Sequence, residues 1–344
     1  MNLKLIIVIF FCTFTGFSQQ RDLDSITIEE IKIDSASIRS IQVLKDSSMI
    51  FASSNGIIGS VNLNDNEIKI KKIVYDSIIP HFRSIANNEN SIYALSVENP
   101  ALLYKYYNDN LSIVYKEEHP KVFYDAMAFF DNQNGIAMGD PTEDCLSIIV
   151  TRDGGNSWKK LPCQVLPKTE VGEAAFAASN GNIAIYGTNA WLVSGGKRAR
   201  VFHTPDLGYT WKVYDTPIVQ GGQMTGIFSV DFYDSKNGII FGGDWGDKNN
   251  NRSNKAITHD GGKTWQLIAD GKGPGYKSSV QYVPDTNGKE IFAVGSTGIS
   301  FSNNGGHTWK KVSNEAYYTI RFVNKNIAWL AGHNKIGKMV LNLE

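Results

Sequence analysis

One eight-residue pattern recurs four times between residues 151 and 309 and constrains the fold more than any other feature. Its copies are Thr151-Arg-Asp153-Gly-Gly155-Asn-Ser157-Trp158, Thr204-Pro-Asp206-Leu-Gly208-Tyr-Thr210-Trp211, Thr258-His-Asp260-Gly-Gly262-Lys-Thr264-Trp265 and Ser302-Asn-Asn304-Gly-Gly306-His-Thr308-Trp309. The shared form is Ser/Thr-x-Asp-x-Gly-x-Ser/Thr-Trp, with Asn304 replacing Asp in the last copy. Each residue type has a local role. An Asp side chain accepts backbone N–H bonds and closes its own turn. Glycine tolerates positive φ. Tryptophan has a large apolar surface to bury. None of these roles needs a ligand. The tryptophans are 53, 54 and 44 residues apart. That period suits one small antiparallel sheet per repeat.

The motif resembles the Asp-box, or BNR repeat, of sialidase-type β-propellers. The resemblance implies a structural hairpin between the third and fourth strands of each blade. A second unit recurs ahead of the boxes, as in Ala126–Gly139 and Ser229–Gly242: an alternating strand, a polar turn and a Gly-ended strand. It also starts near Ser40, Ser84 and Thr319, where no box follows, and at Ser279 before the fourth box. The expected fold is therefore all-β, a seven-bladed propeller with blades starting near residues 38, 82, 124, 173, 227, 277 and 317. Six blades open with a small residue, Ser40, Ser84, Ala126, Ser229, Ser279 or Thr319, as crowding at the propeller axis requires. The fourth carries extra residues, Gly172–Asn182, that leave its register undetermined. The last has room for only three strands, so Ile26–Ile33 is expected to supply its fourth and close the ring. No linker is visible, and residues 19–344 are expected to form one domain.

Asp-box turns and first-to-second-strand turns share one face of such a ring and read as structure. The opposite face carries the richer loops, and ligand sites of propellers usually open there. Arg39, Arg83, Asp125, Phe228, Ser278 and Tyr318 each precede the small column and are expected to ring the channel mouth. Asp140, Glu173, Lys197, Arg200, Asp244 and Trp245 stand on the neighbouring loops. A ring of both charge signs suits a polar ligand or a protein loop.

Glycoside hydrolysis needs two carboxylates at a defined separation. Asp125, Asp140, Glu173 and Asp244 could supply such a pair, with Asp125 or Glu173 as general acid or base and Trp245 able to stack on a sugar, but the Phe-Arg-Ile-Pro segment of sialidases is missing. Asp247-x-Asn249-x-Asn251-x-Ser253 alternates oxygens like a calcium loop, yet Arg252 stands where glycine is needed and Thr258 where glutamate is. The six histidines form no pair at ligand spacing, so no metal is expected. No dinucleotide fingerprint is complete, and no cofactor is expected. A formal charge of zero without a basic block argues against nucleic acid.

The first 18 residues read as an export leader: Lys4, an apolar Leu5–Phe14 and small residues before Gln19. No later stretch is long and apolar enough to span a bilayer. The protein is expected to be exported to the periplasm or beyond. Cys145 and Cys163 each lie nine residues from Gly154, so a symmetric hairpin would bring them together, and an oxidising compartment would permit a disulfide.

Beyond the boxes, Gly172–Ser179, Gly195–Val201, Gly226–Val230, Gly242–Trp245 and Ser279–Pro284 look like segments of exported propellers related to the photosystem II stability/assembly factor family, grouped with WD40/YVTN/BNR-like repeat proteins. A bacterial branch of these is often labelled "oxidoreductase", for which these residues offer no cofactor site. The leading expectation is a non-catalytic binding or assembly propeller, monomeric, holding an unidentified protein or glycan on its loop-rich face. A glycan-active hydrolase is the second, and a redox enzyme the third.

Overall fold

The computed structural model describes Arg21 and residues 23–343; the leader expected over residues 1–18 lies outside the described residues. The chain winds through seven four-stranded antiparallel units arranged in sequence order. Their inner strands are the second half of Leu23–Val43, then Phe82–Asn87, Tyr124–Phe129, Ile183–Tyr186, Thr225–Phe232, Ser279–Tyr282 and Thr319–Asn324. Among the described residues there is no α-helix, so no helix is long and apolar enough to cross a membrane.

Leu23–Val43 belongs to two blades. Leu23 to Lys32 pair with His333–Leu343 as the outer strand of blade 7. After a break in register, Ile38 to Val43 pair with Met49–Ser53 as the inner strand of blade 1. The alternating segment at residues 26–33 thus closes the ring, and the two blades form one seven-stranded sheet. This pairing covers the outer edge of His333–Leu343 and ties the first and last described strands into one blade.

The core is a chain of apolar clusters between adjacent blades. Asp-box tryptophans fill the gaps on the side of the preceding blade. Trp158 meets Tyr93 and Phe129 edge-on, Trp265 meets Phe232, and Trp309 meets Phe241. The box turns are built by the motif itself. Asp153 Oδ1 accepts from Thr151 Oγ1 at 2.8 Å and Ser157 N at 3.0 Å, and Oδ2 accepts from Ser157 Oγ at 2.6 Å. Asp206 and Asp260 repeat the set. Asn304 keeps it with one polarity reversed: its Nδ2 donates to Thr308 Oγ1 at 2.8 Å. The box glycines Gly155, Gly208, Gly262 and Gly306 all have φ between +76° and +94°, where other residues are strained. Gly154 N donates to Gln133 O and Gly261 N to Lys236 O, which puts box turns and first-to-second-strand turns on one face.

Cys145 and Cys163 form a disulfide with Cα atoms 5.5 Å apart. They do not face each other across a ladder. The hairpin pairs Ile149 with Lys160, one residue away from the symmetric register, and Cys163 begins a 3-10 turn after the strands end. Release from the ladder lets the sulfurs meet. The bond spans a sequence separation of 18 and should contribute about 3 kcal/mol by restricting the unfolded chain. Urea unfolding of Cys145→Ser/Cys163→Ser should show a loss of that order; an unchanged midpoint would contradict it.

Candidate functional site

The inner strand of blade 4 begins at Ile183, not near residue 173. The residues that precede it leave the sheet and run down the propeller axis. This segment, residues 175–182, fills the channel on the side away from the Asp-boxes.

The ring expected at the channel mouth is present, and it faces this segment. The ladders of blades 1, 2, 3 and 5 shift register at Arg39, Arg83, Asp125 and Phe228. A β-bulge leaves its extra residue unpaired and re-aims its side chain. Arg83 Nη1 donates to Ala177 O at 3.2 Å, and Arg39 Nη1 to Ala178 O at 3.4 Å. Phe228 stacks on Phe176 with centroids 4.1 Å apart, and Tyr276 meets Phe228 edge-on. Ser278 O accepts from Ser179 Oγ at 2.6 Å. Tyr318 supports Arg39, whose guanidinium lies 4.1 Å above its ring. Within this ring Arg39 and Arg83 hold the chain's own backbone, while Phe228 and Ser278 meet the side chains of Phe176 and Ser179.

Asn180 anchors the segment deeper in the axis. Its Oδ1 accepts from Ser84 Oγ at 2.9 Å and Met127 N at 3.0 Å, and its Nδ2 donates to Ile85 O at 3.1 Å. Arg321 of blade 7 donates to Asn180 O at 3.1 Å, and Thr319 to Ser179 O at 3.1 Å. The small column is used the same way between blades: Ser40 Oγ accepts from Ile85 N, and Ser229 Oγ from Val280 N.

Asp125 is 0% exposed beneath Ala177. Burial holds its carboxyl well above the usual range, with the Asp140 carboxylate adding to the rise and Arg83 opposing it. Asp140 accepts from Ala175 N at 2.9 Å, and burial raises its carboxyl as well. Asp231, facing the axis from blade 5, is pushed up to about 6 by burial. These three acids bind protons more tightly folded than unfolded, so they stabilise the fold at low pH and that contribution is lost as pH rises toward 6. The Asp-box carboxylates act oppositely. Burial would raise them, but their turn hydrogen bonds win and pull them down, so their contribution is lost as pH falls below the ordinary Asp range. The Asp231→Asn variant should therefore gain stability relative to wild type as pH rises from about 5 to about 7.5, the range in which the buried Asp231 carboxyl must ionise. Urea midpoints of both proteins at these two pH values test this, and a difference that does not change with pH would contradict it.

Glu173 and Arg200 are also used internally. Arg200 Nε donates to Glu173 Oε1 at 3.0 Å and Nη2 to Oε2 at 2.5 Å, with the Glu173 side chain 0% exposed. Ser194 Oγ donates to the same Oε1 at 2.6 Å, Glu170 N to Oε2 at 2.9 Å, and Arg200 Nη2 to Lys168 O at 2.8 Å. The cluster ties three loop segments of the rich face together. Neither Asp125 nor Glu173 therefore reaches solvent: Asp125 is sealed under the axial segment, and Glu173 is bound bidentately by Arg200.

Other candidates remain at the surface, over blades 4 and 5. Lys197 donates to Gly221 O at 3.0 Å through Nζ, and its N–H to Gly172 O. Asp244 closes its own turn by accepting from Gly246 N at 2.7 Å. Trp245 is 48% exposed with Lys248 Nζ 4.6 Å from its ring. Trp245 N donates to Met224 O, which brings two loops side by side. Met224 is 38% exposed and Val171 97% exposed on the same face. Val171 and Met224 were not among the sequence candidates, because an apolar residue in a loop is no signal until its exposure is known. Among the described residues no group of three or more His, Cys, Asp and Glu is placed to hold a metal ion.

A family model described as the BNR/Asp-box repeat matches residues 256–267. No curated protein matches the sequence. Among solved structures, YCF48 bound to D1 peptide superposes with a TM-score of 0.67 at 14% identity, covering 94% of this chain and 97% of that one. The WD40 repeats of RRP9 give 0.67 at 10% identity, over 93% of this chain and 100% of theirs. Virginiamycin B lyase of Staphylococcus aureus, inactivated and with quinupristin, gives 0.67 at 11% identity, over 92% of this chain and 100% of its own. At such identities the likeness concerns the fold, which hosts binders and enzymes alike.

Proposed function

Since this chain is a BNR/Asp-box, WD40-like β-propeller, we infer that it is a non-catalytic binding or assembly module that holds a protein partner on the loops over blades 4 and 5. One observation carries the reading. The axial groups that a substrate would meet are occupied by residues 175–182, while Val171, Met224 and Trp245 stay exposed on loops anchored by the buried Glu173–Arg200 pair. Rigid, exposed apolar side chains with a cationic neighbour such as Lys197 are what a protein interface uses for its central contacts. The solved complex of YCF48 with a peptide supports this use of the fold. The leader-like residues 1–18 and the Cys145–Cys163 disulfide support an exported protein in an oxidising compartment, periplasmic or secreted. Residues 19–344 are read as one domain, acting as a monomer.

The test places a photo-crosslinking amino acid at Met224, at Trp245 and, as control on the opposite face, at Tyr186, in cells of the source organism. Discrete adducts are expected from the first two positions, absent from the third and lost with Val171→Asp. Equal labelling at all three would contradict the reading. Fluorogenic glycoside turnover that disappears in Asp125→Asn/Glu173→Gln would replace it with the hydrolase.

A further inference from the structure

Four of the seven gaps between blades are filled by an Asp-box tryptophan placed just before or at the start of the fourth strand. Blade 2 has no Asp-box. Its third and fourth strands, Ala101–Tyr107 and Asn110–Glu117, are joined by a tight turn through Asn108 and Asp109. The first inward residue after that turn is Leu111, where the other hairpins place Trp158, Trp211, Trp265 and Trp309. Leucine is too small for the space. A cleft of about 370 Å³ remains between blades 1 and 2, lined by Ile50 and Ile73, by Leu111 and Tyr106 from blade 2, and by Ile58, Ser60, Lys69 and Lys71 from blade 1. On either side of blade 7, Trp329, Phe292 and Phe301 are buried in the inter-blade clusters.

The rim of the cleft is cationic. Lys69 and Lys71 line it and are exposed. Lys69 has only a loose surface contact with Glu67 at 3.7 Å, and Lys71 lies 5.1 Å from the Tyr106 ring centroid. A void of this size falls in the range of side-chain and small-ligand pockets, and leaving its apolar lining wet is unfavourable.

We propose that the cleft between blades 1 and 2 docks a partner protein segment that inserts one large aromatic side chain, with acidic residues beside it meeting Lys69 and Lys71. The molecule itself supplies the precedent, since four of its inter-blade gaps accept an indole. The acidic flanks follow from charge complementarity with Lys69 and Lys71, whose side of the cleft has Glu67 3.7 Å from Lys69, while Asp109 is engaged by the Tyr106 hydroxyl. The site is separate from the loops over blades 4 and 5.

Fluorescence polarisation of residues 19–344 with a labelled peptide carrying one tryptophan between aspartates, and with its alanine twin, tests the proposal. The tryptophan peptide should bind at least about tenfold tighter than its twin. Leu111→Trp should abolish binding by filling the cleft from within, with unfolding temperature maintained or raised. Ser60→Glu, on the cleft side of the strand Ile57–Val61, gives an independent block should the larger side chain disturb the fold. Lys69→Glu/Lys71→Glu should weaken binding about tenfold and remove most of its salt dependence. Trp245→Ala should leave it unchanged, which separates this site from the loop face. Equal binding of the two peptides, no binding of either, or undiminished binding by folded Leu111→Trp would overturn the proposal, as would loss of binding in Trp245→Ala alone.

Discussion

Replacing Asn180 with alanine should destabilise the protein by about 4 kcal/mol, among the largest effects of any single substitution outside the Asp-boxes. The residue sits at 3% exposure where the axial segment crosses blades 2 and 3. Truncation strands the Met127 N–H and the Ser84 hydroxyl in a buried site, each costing about 1–3 kcal/mol. Backbone strain adds to this. Asn180 has φ of +55°, a region that Asn tolerates and Ala resists. Asn180→Gly loses the same hydrogen bonds without that strain, so it should be less damaging than Asn180→Ala by a few tenths to about 1 kcal/mol. Urea unfolding of the three proteins gives both numbers. Equal stability of Asn180→Ala and wild type would mean that the segment does not hold the axis.

Breaking the Glu173–Arg200 pair should cost about 3–5 kcal/mol from either side, because each single change leaves the other charge, or its hydrogen bonds, buried and unanswered. Glu173→Gln strands the guanidinium; Arg200→Met strands a carboxylate that is fully enclosed. Glu173→Gln/Arg200→Met should recover much of the loss, since desolvating a buried ion pair is itself costly. A double-mutant cycle by chemical denaturation measures the coupling. Additive losses would show that the two side chains act independently. A catalytic Glu173 would instead be dispensable for stability, so the same measurement separates an internal brace from an active-site acid.

Much of the ring could be read from residues alone, because its determinants are local. Asp153, Asp206 and Asp260 close their turns through atoms four residues away at most, and the spacing of their tryptophans follows from one sheet per repeat. The closing strand was legible because Ile26–Ile33 alternates with period two and no blade claimed it. The bulged ring of Arg39, Arg83, Asp125 and Phe228 was visible as a column before the small residues, but its partner was not. The axial segment is a run of Ala, Ser, Asn and Gly with no alternation. Its conformation is set by contacts with six other blades, more than a hundred residues away in some cases, as between Asn180 and Arg321. Small residues without period were the available signal, consistent with close packing on all sides, yet they name no location. The exposed Val171 and Met224 and the cleft beside Leu111 are equally silent in sequence. They are defined by what fails to cover them.

Hydrogen–deuterium exchange of the segment over residues 175–182 tests the central claim most directly, which is that the chain closes its own channel and leaves recognition to its outer loops. If the segment is packed as described, with Ala175 N donating to Asp140 and Ala178 N to Phe176 O, its amides should exchange far more slowly than those of the loop carrying Val171. Exchange as fast as the loop carrying Val171 would contradict the account, since an open channel would then return Arg83 and Asp125 to the solvent as a ligand site.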